Sequence, residues 1–301
     1  MDGFSINRLI IAFYKVILLF VGTFGNLLFI HLIIKRKSLR NRTSILQCFQ
    51  CFFHVFCLMG MLMNNVISIE SAYNRKECYK RIAFYIFSQT AQGILMVIIV
   101  ADILLFVKFP VIYRNISSSK YLLKTSIPVL VISTFTTTYG FLTTTEDSIS
   151  SCSPPFAFHP DVGIYYNFFF IFLGLVVMAL YTVLIKTFYT RSQNHTNYLS
   201  SRKTMKRLQM SVVIFVSTWF FSQIMGLIVL HTAENLKWAG PIFAHTAILI
   251  CLSYSNTFYV TMWRSKEYRE HFYSVWWPKR ISPSSVSVLH VSSIPRNINQ
   301  K

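Results

Sequence analysis

Long apolar blocks alternate with short polar stretches along the chain. Seven blocks reach about 20 residues or more, the length a helix needs to cross the hydrocarbon core of a bilayer. The fourth is the least apolar because it contains many Thr residues, whose hydroxyls can bond to carbonyls of their own helix. The pattern predicts an all-α fold with seven transmembrane helices, at Leu9 to Ile34, Ser44 to Ile69, Ile82 to Val107, Thr125 to Thr143, Gly163 to Thr187, Leu208 to Leu230 and Trp238 to Trp263.

Composition and charge support this interpretation and orient the chain. Of its 301 residues, 53% are hydrophobic and only 13% are charged, which is typical of a membrane protein. Lys and Arg outnumber Asp and Glu by 29 to 10, but 22 of the basic residues fall in alternate loops and the C-terminal tail. Basic residues mark the cytoplasmic side of membrane proteins, so we expect the N-terminus outside, the C-terminus inside and no nucleic-acid partner. The segment "NRKECYKR" is a basic exception on the outer side.

Two of the six cysteines lie outside the apolar blocks. Cys78 precedes the third block, and Cys152 lies between the fourth and fifth blocks, both on the predicted outer side. The oxidising exterior favours a disulfide between them. Cys48 and Cys51 lie within an apolar block without a matching second pair, so neither a metal site nor a cofactor is expected.

The third block carries two polar features. Tyr85, Ser88, Gln89 and Gln92 are spaced so that they share one helical face, which should point into the bundle or a water-filled cavity. The alternative is that they only form hydrogen bonds between helices. Asp102 is a lone carboxylate near the inner end of the same block, where a charge is costly and usually functional.

Several fragments, taken in order, resemble rhodopsin-like G-protein-coupled receptors. Asp102, Pro110 and Tyr113 follow Cys78 at the spacing found around the Asp-Arg-Tyr triplet of that family. Further matches are Gly25-Asn26 in the first helix, Phe215 and Trp219 in the sixth, and "WRSKEYREHF" at the position of a short amphipathic eighth helix. The resemblance covers about residues 10 to 275, and the sequence is most similar to the nematode serpentine chemoreceptors of the srsx class.

The departures from the family pattern matter as well. Ile103 stands in place of the triplet arginine, and Phe221 in place of the sixth-helix proline. His54 occupies the position of the sodium-binding aspartate, while Asn256 lies in "SNTFYVT" instead of Asn-Pro-x-x-Tyr. Asp102 therefore lacks its usual neighbour. We expect it to accept a hydrogen bond from Tyr113 or a basic inner-loop residue at the wet cytoplasmic rim; the alternative is a snorkelling interfacial charge.

The resemblance implies a receptor in the plasma membrane, with the cilium as one such location, and not an enzyme. It divides the chain into an extracellular N-terminus (1–8), a transmembrane bundle (9–263), an amphipathic eighth helix (264–277) and a disordered tail (278–301). An extracellular small molecule or peptide would bind, and a heterotrimeric G protein would be activated from the inner side. The implied ligand-binding residues are Tyr85, Ser88, Gln89, Gln92, Trp219 and His245. The implied inner-face residues are Asp102, Ile103, Pro110, Tyr113, Arg202, Lys203, Lys206 and Arg207, with Asn26, His54 and Asn256 in helix packing.

A polytopic transporter or channel is the alternative class. Such proteins usually show repeated halves, broken helices and paired charges near the middle of the bilayer. An odd number of predicted helices with almost no charge at that depth argues against this alternative.

Overall fold

A computed structural model describes residues 3–67, 73–149, 152–192, 210, 212–232 and 239–277. The long helices are α1 (Gly3–Lys35), α2 (Arg42–Ile67), α3 (Arg75–Lys108), α5 (Ser118–Thr143), α7 (Pro160–Ser192), α8 (Phe221–Thr232) and α9 (Ala239–Arg264). The shorter elements are a 3-10 turn (Lys37–Leu39), β1 (Tyr73–Asn74), α4 (Pro110–Asn115), β2 (Ser148–Ile149), α6 (Pro154–Ala157) and α10 (Lys266–Trp276). A π-helical segment, Val216–Phe220, leads directly into α8. The predicted helical membrane bundle is confirmed.

The surface of the bundle is suited to lipid. Within the described residues, α1, α2, α3, α5 and α7 each contain a stretch long and apolar enough to cross a membrane, and Val212–Ile228 is a shorter apolar helix. Helix α9 has 26 residues, the same length as α5. Large apolar side chains such as Phe13, Phe20 and Leu142 are exposed on this surface, where hydrocarbon would cover them.

Helix α3 lies in the middle of the bundle and packs against α2, α5 and α7. Its buried positions extend along almost the whole helix, from Cys78 to Ile103. The helix begins at Arg75, two turns before the apolar block, so its polar first turns project beyond the apolar region. This central position explains why both polar features of the third block lie inside the protein.

Helices α1 and α9 approach each other closely at Gly25. A Cβ atom on this residue would lie only 2.8 Å from the ring of Tyr259, so no larger side chain fits without a shift. The neighbouring Asn26 is fully buried, and its side-chain amide donates a hydrogen bond of 3.0 Å to the carbonyl of Tyr254. The Gly-Asn pair thus allows a close contact between the two helices and joins them by a hydrogen bond.

The predicted amphipathic eighth helix is present as α10. Ser265 precedes it and accepts a hydrogen bond from the backbone N–H of Tyr268. The hydroxyl of Tyr268 shares a hydrogen bond of 2.6 Å with Ser44 on α2, and its ring stacks on Phe29 of α1. These contacts attach α10 to the C-terminal part of α1 and the N-terminal end of α2.

Three threonines of helix α5 bond to carbonyls of their own helix. Thr125, Thr137 and Thr143 each donate to the carbonyl four residues earlier, at 3.0, 2.8 and 2.9 Å. Because these hydroxyls need no partner in lipid, the least apolar block still forms a membrane helix.

Candidate functional site

A disulfide ties the loop before α6, which the sequence predicts to be the outer loop, to the start of α3. Cys78 and Cys152 are joined at an S–S distance of 2.04 Å with their Cα atoms 5.6 Å apart, which confirms the predicted pair. Next to it, β1 and β2 pair antiparallel, with Tyr73 opposite Ile149. The loop is therefore held against the outer end of the central helix.

The basic exception on the outer side has a structural explanation in Arg75. Its backbone N–H donates to the carbonyl of Asp147 at 2.9 Å, and its guanidinium donates to the carbonyls of Phe156 and Phe158. Lys76 forms an exposed ion pair with Glu146 at 3.2 Å. Arg75 and Lys76 therefore neutralise part of the charge of this acidic loop and fix its backbone to the start of α3.

The polar stripe of α3 lies inside the bundle, with each of its four side chains no more than 3% exposed: Tyr85, Ser88, Gln89 and Gln92. The Tyr85 hydroxyl donates to the sulfur of Met61 at 3.0 Å, and Gln89 accepts from the Tyr166 hydroxyl at 3.1 Å. Both contacts join α3 to a neighbouring helix. A ligand-binding role for the stripe stays a prediction.

A series of aromatic contacts runs from the outer loop toward the middle of the bundle. The ring of Phe158 lies 4.6 Å from that of Tyr166, which lies 4.6 Å from Phe170. Phe170 in turn contacts Trp219 at 5.2 Å, and Trp219 stacks on Phe215 at 4.8 Å. Edge-to-face and stacked rings at these separations attract one another, so the series forms a continuous packed path.

Trp219 lies within the π-helical segment Val216–Phe220 and is fully buried. The resembled family has a proline two residues later, where this chain has Phe221. A π-helical turn widens the helix locally and often marks a functional position. The irregularity at Trp219 thus arises here without a proline.

His245 differs from the other predicted ligand-binding residues. It is exposed, and its ring lies 6.3 Å from that of Tyr14 on α1. The structure places it beside α1 and does not bring it into the buried stripe.

Asp102 is fully buried, which corrects the expectation of a wet cytoplasmic rim and excludes the snorkelling alternative. Its Oδ2 accepts a hydrogen bond of 2.6 Å from the Thr43 hydroxyl and a longer one of 3.4 Å from Tyr113. The Tyr113 contact was expected; the shorter Thr43 contact was not. Burial, with the nearby Asp102 carboxylate, raises the pKa of Tyr113 to about 12, so its hydroxyl stays protonated and able to donate.

Arg42, next to Thr43, supplies a cation at this inner cluster. Its guanidinium carbon lies 4.3 Å from the centre of the Tyr113 ring and 5.5 Å from that of Tyr121. Its Nε donates to the Ser118 hydroxyl at 3.1 Å, and its Nη2 donates to the carbonyl of Ile116. Arg42 thereby connects α2 to α4 and to the beginning of α5.

Ile103 occupies the place of the triplet arginine and belongs to the hydrophobic core, 3% exposed. Pro110 starts α4, the short helix that carries Tyr113. The four basic residues predicted to contact the G protein, Arg202, Lys203, Lys206 and Arg207, lie outside the described residues.

Comparison with known families identifies the kind of protein that carries the polar stripe of α3 and the cluster around Asp102. The model of the serpentine-type seven-transmembrane G-protein-coupled chemoreceptors, Srsx, matches residues 19–276. The chain belongs to the Srsx family. It is therefore a chemosensory G-protein-coupled receptor, as the sequence fragments indicated. Among curated proteins, none matches the chain.

The Srsx receptor also contains a small cavity of about 20 Å³ with a mixed polar and apolar lining. Its lining includes His54, Asn256 and two amides from α2, Gln47 and Gln50, but no carboxylate. One buried water needs about 10–15 Å³ and a few polar partners, which this cavity supplies. The polar groups of the described lining can hold one water molecule.

Sequence reasoning missed the Srsx receptor's hydrogen-bond partners for two buried polar groups, Thr43 for Asp102 and Tyr166 for Gln89. A signal for Thr43 was present, because consecutive helices joined by a short outer loop bring the inner ends of α2 and α3 together. No comparable signal pointed to Tyr166.

Proposed function

We propose that a small molecule or peptide acts from the outer side and changes the packing of Trp219, and that the inner surface then engages a heterotrimeric G protein. The observation that carries this is the aromatic series from Phe158 through Tyr166 and Phe170 to Trp219. A ligand that displaces the outer end of a packed series must alter the contacts further along it.

The polar stripe fits the recognition part of this proposal. Gln89 and Tyr166 form one buried hydrogen bond, and Tyr166 is also part of the aromatic series. A ligand with a donor or acceptor can exchange hydrogen bonds with this pair and at the same time shift the ring. Tyr85, Ser88 and Gln92 extend the same polar face along α3. His245 would contact a ligand that also reaches α1.

The inner surface fits the coupling part. The predicted basic loop, with Arg202, Lys203, Lys206 and Arg207, would meet the G protein where the sixth helix emerges. Ile103 cannot form the ion pair that an arginine would form in the resting state, and it cannot reach a G protein as an arginine does. The resting arrangement therefore depends on the cluster of Asp102, Thr43 and Arg42. This arrangement requires the N-terminus outside, the C-terminus in the cytoplasm, and location in the plasma membrane, with the cilium as one such site.

The outer path is tested in cells that express the receptor, with a chemical library and a calcium or cyclic-nucleotide readout. Phe170→Leu should reduce the response at least several-fold because it breaks the contact with Trp219. Phe172→Leu is the matched control, since Phe172 is 60% exposed on the same helix. Equal responses from the two variants at equal surface level would reject the path.

The hydrogen bond to Gln89 is tested in the same cells. Tyr166→Phe removes only the hydroxyl that bonds to Gln89. Tyr165→Phe is the matched control, because Tyr165 is the preceding residue and is 73% exposed. We expect a shifted concentration dependence for the first variant alone.

The inner surface and the orientation need separate measurements. Neutralising Arg202, Lys203, Lys206 and Arg207 together should reduce coupling without lowering the surface level. An epitope tag at Lys301 should be detected only after permeabilisation. Detection of that tag on intact cells would overturn the orientation.

A further inference from the structure

Lys15 is a buried lysine within the apolar span of α1. The span covers Leu9–Lys35, so at about 1.5 Å per residue Lys15 lies roughly 9 Å from the end that the sequence predicts to be outer. A lysine at an apolar surface normally extends its ammonium to water, but Lys15 is only 7% exposed and is covered by protein. A charged side chain at this depth is costly and usually belongs to a functional site.

The Lys15 side chain is directed at α9 and at the interior of the bundle. It interacts electrostatically with Cys251 on α9, a residue that is 1% exposed. Cys251 in turn lies within electrostatic range of Tyr85, the first residue of the polar stripe on α3. Lys15 and the polar stripe therefore border the same part of the interior, with Cys251 between them.

The charge in this part of the interior comes from Lys15. The polar stripe consists of a tyrosine, a serine and two glutamines, which are all neutral side chains. Among the described residues, the other buried charged side chains are Arg42 and Asp102, and both belong to the inner cluster. A molecule that binds against the stripe therefore meets a positive charge.

Polar groups continue from Lys15 to the surface of the bundle. Tyr14, the preceding residue, is partly exposed, and its ring lies 6.3 Å from that of His245, which is exposed on α9. A ligand can exchange its contacts with water for contacts with these two side chains as it approaches Lys15. This route also gives His245 a place beside a ligand that reaches α1.

We propose that Lys15 binds the acidic group of the receptor's ligand, and that this ligand is a small, mostly apolar carboxylic acid. One carboxylate balances one ammonium through charge-assisted hydrogen bonds. A doubly charged phosphate would leave a net charge in an apolar interior, which is unfavourable. The inference rests on the proposed function, because it names the chemical class of the molecule that acts from the outer side.

The first experiment uses the unmodified receptor in expressing cells. The probes are small carboxylic acids, such as hexanoic, octanoic, decanoic and phenylacetic acid, each paired with its methyl ester, and a general chemical library. We expect at least one acid to evoke the calcium or cyclic-nucleotide response and its ester to be about 10- to 100-fold weaker, because the ester cannot pair with an ammonium.

The outcomes separate this inference from the proposed function. Responses confined to neutral or cationic compounds, or an ester as potent as its acid, overturn the inference and leave the proposed function intact. If no compound evokes a response at normal surface level, the proposed function itself is rejected, and the inference with it.

The second experiment assigns the acid preference to Lys15. Lys15→Gln should weaken the response to the active acid by about 10- to 100-fold and bring it close to that of the ester, whereas Lys15→Arg should keep the preference. Lys80→Gln is the matched control, because Lys80 is an exposed lysine near the start of α3. Lys15→Glu should transfer the response to the primary amine with the same carbon skeleton.

Surface level is measured for every variant by flow cytometry. An acid that activates Lys15→Gln and Lys80→Gln equally would overturn the assignment. If Lys15→Gln does not reach the surface, Lys15→Arg and the comparison of acid with ester on the unmodified receptor decide, and loss of the acid preference in Lys15→Arg at normal surface level counts against Lys15 as the cation.

Discussion

Thr43→Val tests the buried environment of Asp102 most directly. Valine has nearly the shape of threonine, so the substitution removes the hydroxyl and little else. The bond that is lost is short, 2.6 Å, and it ends on a fully buried carboxylate. Asp102 would then keep the longer contact of 3.4 Å from the Tyr113 hydroxyl and the interaction with the Tyr121 hydroxyl.

The expected magnitude follows from the charge and burial of the acceptor. A hydrogen bond to a charged group contributes about 1.5–3 kcal/mol, and a buried group left without its partner costs a similar amount. We expect Thr43→Val to lower the free energy of unfolding by about 2–3 kcal/mol. Tyr113→Phe should cost less, about 1 kcal/mol or below, because hydrogen bonds weaken at its longer distance.

Unfolding can be followed with a thiol-reactive dye, because Cys51, Cys57 and Cys251 are buried in the folded receptor and become reactive when it opens. Thr182→Val is the control. Thr182 is exposed to lipid and bonds only to the Met178 carbonyl of its own helix, so its loss should be close to neutral. If Tyr113→Phe is as damaging as Thr43→Val, or if Thr43→Val behaves like the control, the assignment of Thr43 as the main partner is wrong.

Three other substitutions test the outer loop and the helix contacts. Cys152→Ser should cost about 2–5 kcal/mol and lower the surface level measured by flow cytometry, and adding Cys78→Ser should cause no further loss. Arg75→Gln should destabilise the outer loop and increase its proteolysis, because it weakens the hydrogen bonds to the Phe156 and Phe158 carbonyls. Lys76→Gln is the control: it should change the free energy of unfolding by less than about 1 kcal/mol, since its ion pair is exposed. Gly25→Ala should lower the melting temperature, because its Cβ would come 2.8 Å from the Tyr259 ring. Adding Tyr259→Leu should restore much of the lost stability. A double variant as unstable as Gly25→Ala alone would contradict this account.

The sequence was sufficient for those properties that depend on length and order along the chain. A helix must supply about 20 apolar residues to cross a bilayer, so the number of helices could be counted. The positions of Cys78 and Cys152 relative to these helices then predicted the disulfide. The spacing of Tyr85, Gln89 and Gln92 predicted that one face of α3 points inward, because polar groups avoid lipid.

Tertiary structure alone decided which groups meet. Lipid forces a polar side chain inward, but it does not determine which neighbour the side chain meets; that depends on the rotation and depth of each helix. Asp102 was therefore recognised as unusual, yet its burial and its bonds to Thr43 and Tyr113 emerged only from the packing of α2, α3 and α4. For the same reason, the series from Phe158 to Trp219 joins residues of an outer loop and two helices that no spacing in the sequence connects.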